Sequence, residues 1–236
     1  LPQEVKDCFA ALCQYSMHTY QNEICEGFIT IEGGIRVGIC GTAVYDGEKI
    51  INIKDISSLN IRIAREIKGA ADEIIRKAGF GERGGILVAG PPCSGKTTLL
   101  RDMARTAGNG GKNVCIVDER MEIAGVFRGK PAFEIGECTS VLNGFRKSDG
   151  IICAVRSMAP EVIICDEFGG ESEIAASLYA MKSGAQIIAS MHCLDLEDLR
   201  SKNEFKFLAE RGVFKWVVIT GHGCKTESIV KVGEIL

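Results

Sequence analysis

The sequence is short of several things that would have pointed to other kinds of protein. It contains no run of 18 or more apolar residues, so no segment has the length a membrane-spanning helix needs. Its formal net charge is −3, from 28 basic and 31 acidic residues of mixed order, which leaves no basic field for tracking nucleic acid. None of the 11 cysteines forms Cys-x-x-Cys, their number is odd, and Cys115, Cys153 and Cys165 lie within aliphatic runs. That pattern argues against a zinc site or a disulfide scaffold and for reduced core thiols in a reducing cytosol. No Asn-Lys-x-Asp is present to read guanine, and there is no internal repeat or low-complexity segment. The chain opens on Leu1 rather than Met and has no signal peptide, so a leading segment is expected ahead of it.

With 236 residues the chain exceeds the usual domain size of roughly 100 to 150 residues, and its pattern changes near Phe80. Residues 1–80 are expected to form a smaller α+β domain with a linker helix. Val5, Cys8, Phe9, Leu12, Cys13, Met17 and Tyr20 recur at helical spacing, predicting an amphipathic helix over residues 2–20. Two β-hairpins follow, one turning at Gly33-Gly34 and one at Asp46-Gly47. Ile61, Ala64, Ile67 and Ala71 predict a linking helix that ends near Gly79. Over residues 81–236 strand and helix patterns alternate, with strands expected at 85–89, 114–118, 162–166, 187–190 and 217–220. Such alternation predicts an α/β domain built on a mostly parallel sheet covered by helices.

Gly90-Pro91-Pro92-Cys93-Ser94-Gly95-Lys96-Thr97 fits G-x-x-x-x-G-K-[ST] in full, after an apolar strand and before a helix. A loop in that setting aims backbone N–H groups and a helix N-terminus at one point, where polyphosphate charge is favoured. Gly90 and Gly95 let the backbone turn, Lys96 brings a point charge to the terminal phosphates, and the Thr97 hydroxyl can reach Mg²⁺; Thr98 follows in the same turn. A bound nucleoside triphosphate is the expectation. Cys93 reads as a variable position or an exposed thiol. The run 162–165 ends in Asp166-Glu167, two carboxylates at the end of a strand, where ligand chemistry gathers in open α/β sheets. Asp166 is the expected Mg²⁺-side carboxylate and Glu167 the first candidate to activate water. A second apolar strand ends in Asp118-Glu119-Arg120-Met121-Glu122, whose Glu122 is the alternative for water activation. A third ends in His192. Arg146-Lys147 reads as a solvated helix start.

The order phosphate loop, acidic box, strand with Asp-Glu and strand with His resembles the secretion ATPase superfamily, the motors of type II and type IV secretion and type IV pili. Gly90 to Thr97 look like its Walker A motif, Asp118 to Glu122 like its Asp box, Ile163 to Glu167 like its Walker B motif and His192 like its His box. One departure is Asp166-Glu167, where many members have Gly-Glu; it favours direct metal coordination over a pilus-motor assignment. The phrases FITIEGGIRVGICGTAV, VDERMEIAG, RSMAPEVIICDEFGG and GAQIIASMHC bring the resemblance closer to the sporulation branch, ATPases encoded with the channel assembly of endospore-forming bacteria. The resemblance implies a RecA-like domain that hydrolyses ATP with Mg²⁺, and it gives His192 a γ-phosphate-sensing role. It implies a ring-shaped homo-oligomer, by analogy a hexamer, and no nucleic-acid partner. The chain would be cytoplasmic, peripheral to the inner membrane on the mother-cell side, and would serve membrane proteins of a sporulation channel. Such a ring adds a cation across the subunit boundary, for which Arg36, Arg62, Arg65 and Arg156 are candidates. An ATP-gated scaffold and a RecA-like motor on nucleic acid are the alternatives from other classes.

Overall fold

The computed structural model describes residues 2–81, 84–221 and 225–235. They form two compact units, one running to Arg65 and including Gly125–Phe133, the other made of Glu66–Ala124 and Glu134 onward. No helix among the described residues is long and apolar enough to cross a membrane.

The first unit is a three-stranded antiparallel sheet in the order β1 (Phe28–Ile31), β2 (Ile35–Asp46), β3 (Lys49–Arg62). Helices α1 (Pro2–Leu12) and α2 (Gln21–Cys25) cover it. Phe9, Cys13, Tyr20, Ile24, Ile29, Val37 and Ile39 make its core. Both hairpin turns fall where the sequence puts them, but the strands are longer than expected because β2 runs through irregular pairing between Cys40 and Thr42. The helix expected over residues 2–20 stops at Leu12, since Gln14 and Tyr15 take left-handed backbone at φ 50° and 57°; one 3₁₀ turn then covers Met17–Tyr20. Arg36 pairs with Arg62 across the β2–β3 ladder, and its guanidinium lies 3.6 Å from the Phe28 ring centre. Phe127 packs on the same core and Arg128 donates to Gln14 at 2.6 Å, which ties residues 125–133 into this unit.

The division lies at Arg65/Glu66 rather than near Phe80. The expected linking helix is also shorter: Ile61 and Arg62 close β3, and only α3 (Asp72–Ala78) is helical, beyond Gly69 at φ 81°. Residues around α3 belong to the second unit for a physical reason. Ile74 and Ala78 are buried, and the Ala71 N–H donates to the buried Asp102 carboxylate at 2.9 Å.

The second unit holds a seven-stranded sheet. Its strands are β4 (Gly85–Gly90), β5 (Val114–Asp118), β6 (Thr139–Asn143), β7 (Val162–Cys165), β8 (Gln186–His192), β9 (Phe214–Thr220) and β10 (Thr226–Lys231), in the order β10-β9-β4-β8-β7-β5-β6. Every pairing is parallel except β10 with β9. Strands β4, β5, β7 and β8 read as apolar runs because both faces are covered. On one face Leu87, Ala89, Val117, Ile163 and Ile187 pack with α5 (Lys147–Met158), α6 (Glu171–Lys182) and α8 (Asn203–Glu210). Helix α4 (Lys96–Asn109) packs against β4, β5, β7 and β8 and buries Leu99, Leu100 and Met103; α7 (Leu196–Ser201) completes the set. Because the six strands β4 to β9 run parallel, Gly90, Asp118, Asn143, Cys165, His192 and Thr220 all lie at one end of the sheet. The ten cysteines among the described residues are free thiols.

Candidate active site

At that end β4 runs into the loop and the loop into α4. Gly90 has no room for a side chain: a Cβ there would collide with the Thr220 hydroxyl and come within 3.0 Å of Ser94 Oγ. The buried Ser94 hydroxyl meets Thr220 Oγ1 at 2.7 Å and pins the loop to β9. Gly95 caps α4 in left-handed backbone at φ 90° and brings no side chain to the helix end, so the first N–H groups of α4 are left for another acceptor. Pro92 and Cys93 are exposed, Cys93 at φ 60°, and Thr97 and Thr98 lie half-buried in the first turn of α4.

Lys96 is buried and folds over its own loop. Its Nζ donates to the carbonyls of Gly90 at 2.9 Å and Pro91 at 2.8 Å, and lies 3.1 Å from His192 Nδ1. Burial pushes this ammonium below the usual lysine range, against the opposing pull of Cys193, Glu167, Cys93 and Asp166. An ammonium only donates, so Nδ1 of His192 accepts and Nε2 carries the ring proton to Glu167 Oε1, 3.1 Å away. His192 therefore joins the phosphate-loop lysine to the acid of the Asp-Glu pair.

Asp118 is a structural anchor. Its buried carboxylate accepts the N–H groups of Glu122 at 2.9 Å, Ile123 at 3.2 Å and Ala124 at 2.8 Å; burial raises its pKa against those three bonds. Buried Arg101 holds the same turn from α4, donating to the carbonyls of Ile123 at 2.7 Å and Glu122 at 2.8 Å. The turn thus directs Glu119 and Arg120 outward to separate partners, Lys147 and Glu167.

Asp166 is 2% exposed. Its Oδ1 is buried without a hydrogen-bond partner among the described residues. Its pKa is pushed up to about 7 by burial and by Asp118, with Glu122 and Glu167 adding to the rise and Lys147 opposing it. A buried, partnerless carboxylate oxygen among like charges is suited to a cation. Among the described residues no three His, Cys, Asp or Glu side chains are grouped to hold a metal alone. Asp166 and Thr97 could hold Mg²⁺ together with phosphate oxygens and water.

Glu167 takes φ 43°, a left-handed conformation a glutamate rarely adopts. Its N–H donates to Ser190 Oγ at 3.0 Å, its carbonyl accepts from Lys147 Nζ at 2.8 Å, and its carboxylate pairs with Arg120 and His192. Burial alone would raise its pKa, but the His192 hydrogen bond and the charges of Arg120 and Lys147 together hold it below the usual range. Glu122 faces the same cluster electrostatically, raising both Asp118 and Asp166.

Lys147 is the residue that sequence reasoning missed. It does open a helix, but it is buried rather than solvated, with its side chain 9% exposed between Glu119 and Glu173 at 3.4 Å each. Burial would lower its pKa, yet the carboxylates of Glu173, Glu119 and Asp166 outweigh burial and hold it above the usual lysine range. Arg120 is the second such residue, and its position inside the acidic box was its only signal. Arg156 is exposed in the last turn of α5, close to Met158, whose carbonyl accepts from Asn113 beside the start of β5. It therefore lies at the sheet end opposite its own phosphate loop. Arg36, Arg62 and Arg65 belong to the first unit.

The family model described as "Sporulation stage III, protein AA" matches residues 2–234. Stage III sporulation protein AA of Bacillus subtilis (strain 168) is 40% identical over 208 residues, covering 86% of this chain and 68% of that protein. Among solved structures, the ATPase DotB of Legionella pneumophila superposes with a TM-score of 0.54 at 18% identity, covering 78% of this chain and 52% of DotB. The pilus retraction motor PilT, solved with bound ADP, gives a TM-score of 0.54 at 16% identity, covering 78% of this chain and 54% of PilT. The chain spans about half the length of each of these two structures, and the likeness establishes the RecA-like secretion-ATPase fold.

Proposed function

The chain belongs to the sporulation stage III, protein AA family, and on that premise we propose that it is a Mg²⁺-dependent ATPase that powers or assembles a sporulation-associated membrane channel. The observation that carries the reading is the convergence at one sheet end of the phosphate loop, the partnerless oxygen of Asp166, and Glu167 joined to Lys96 through His192. Lys96 and the N–H groups at the start of α4 hold the phosphates, and Thr97 with Asp166 holds the metal. Mg²⁺, when bound, neutralises charge that builds on the β and γ phosphates. Glu167 orients and deprotonates the attacking water, with Glu122 as the alternative base, and His192 senses the γ-phosphate through a hydrogen bond.

Hydrolysis of this kind depends on positioning and charge neutralisation, and one cation is still needed on the transferring group. We assign it to a neighbouring subunit in a ring-shaped homo-oligomer, a hexamer by analogy with the superfamily. Arg36 and Arg62, adjacent across the β2–β3 ladder, are candidates together with Arg65 and Arg156. The assembly would work on the cytoplasmic face of the membrane without a nucleic-acid partner. Steady-state phosphate release measured over a range of protein concentrations tests the reading: specific activity climbs as subunits assemble. Tight ATP binding with no turnover at any concentration would instead make the protein an ATP-gated scaffold.

A further inference from the structure

We propose that Lys147 is a positioning residue for hydrolysis: from the first turn of α5 it fixes the main chain of Glu167 so that the Glu167 carboxylate points at the reacting water. The inference rests on the ATPase reading above and deepens it. Glu167 holds a left-handed backbone at φ 43° although it has a Cβ, and such a conformation persists only where the surroundings over-determine it. Two bonds do this. Ser190 Oγ takes the Glu167 N–H at 3.0 Å from β8, and Lys147 Nζ donates to the Glu167 carbonyl at 2.8 Å from α5. The peptide on either side of the Glu167 α-carbon is thus held from a different element, which leaves its side chain directed to His192 and Arg120.

Lys147 is itself held. Glu119, from the turn after β5, and Glu173, in the first turn of α6, each approach its Nζ at 3.4 Å. Glu173 in turn accepts the N–H groups of Gly169 at 2.9 Å and Gly170 at 3.1 Å, in the segment that follows Glu167. The ammonium is therefore a fixed point joining the turn after β5, the start of α5, the strand end at Glu167 and the start of α6. A buried lysine with three donors and three oxygen partners has little freedom to do anything else. It does not face the phosphate loop, whose own lysine is held by the Gly90 and Pro91 carbonyls.

Acting through Glu167 has a measurable consequence. Lys147→Met should lower kcat by about tenfold or more while the KM for ATP stays within about threefold, since an interaction felt only in the transition state is lost from kcat. Binding of a fluorescent ATP analogue to the full chain should be unchanged. In a Glu167→Gln background, measured by single-turnover hydrolysis, the same substitution should cost nothing further, because residues acting as one unit are not additive. Lys147→Met leaves two carboxylates facing each other, so Glu119→Gln/Lys147→Met removes that repulsion should the single variant fold poorly; it should show the same kcat loss. Unchanged kcat in both variants, or a loss that adds in full to that of Glu167→Gln, would overturn the assignment. A wild-type chain that binds the analogue but shows no turnover would overturn the ATPase reading itself, and the Lys147 assignment with it.

Discussion

Asp166→Asn should make the metal-free chain more stable at alkaline pH while disabling the site. A carboxyl whose pKa rises from the usual 3.8 to about 7 on folding is a destabilised anion in the native state. Between those two values the folded chain keeps a proton that the unfolded chain has released, so stability falls as pH rises and levels off above pH 7. At about 1.36 kcal/mol per pH unit the full cost is about 4 kcal/mol, of which under about 2 kcal/mol has already accrued at pH 5. An asparagine carries no charge at any pH and its amide can donate to the carboxylates around it, so most of that cost is recovered. Urea unfolding in EDTA should show the variant more stable than wild type by several kcal/mol at pH 8 and by under about 2 kcal/mol at pH 5. Mg²⁺ with ADP should stabilise the wild type and not the variant, because a ligand that binds only the folded state raises stability by mass action. A variant no more stable than wild type at pH 8, or a gain that does not change with pH, would refute the reasoning.

Glu167→Gln should keep ATP and Mg²⁺ bound and slow turnover by about 10² or more, as typical for loss of a general base; phosphate release with full activity would transfer the role to Glu122, to be checked with Glu122→Gln. Gly90→Ala places a methyl against Thr220 and should cost about 1–3 kcal/mol in thermal or urea unfolding together with nucleotide affinity. Lys96→Ala subunits mixed with Arg36→Ala or Arg62→Ala subunits should recover part of the activity that each lacks alone, given the 10³ to 10⁵ that an arginine finger contributes, roughly, in other systems; no recovery in any mixture would rule those arginines out as trans-acting.

The parts of this molecule that were legible in the sequence share one cause. Strands β4, β5, β7 and β8 are buried on both faces, so each reads as an apolar run, and what ends the run falls at the candidate site: Gly90, Asp118, Asp166 and His192. Strand β6, at the edge of the sheet, is half-polar, and β10 is an antiparallel edge strand after β9, so neither stood out. The apolar spacing from Ile61 to Ala71 mimicked a helix, but Ile61 continues the β3 ladder opposite Val37. The excursion of residues 125–133 into the first unit left no periodic signal at all. Lys147 was read as solvated because a basic residue at a helix start is normally exposed; its burial comes from Glu119 and Glu173, far apart in sequence and joined only by the fold.

The central claim is that the sheet end around Lys96, Asp166 and Glu167 hydrolyses ATP. Its most direct test is phosphate release from ATP and Mg²⁺ by assembled wild-type chain beside Lys96→Ala chain at matched concentration and oligomeric state. Measurable turnover in the wild type, abolished in Lys96→Ala with the fold retained, is the predicted result. Equal turnover in the two would contradict it.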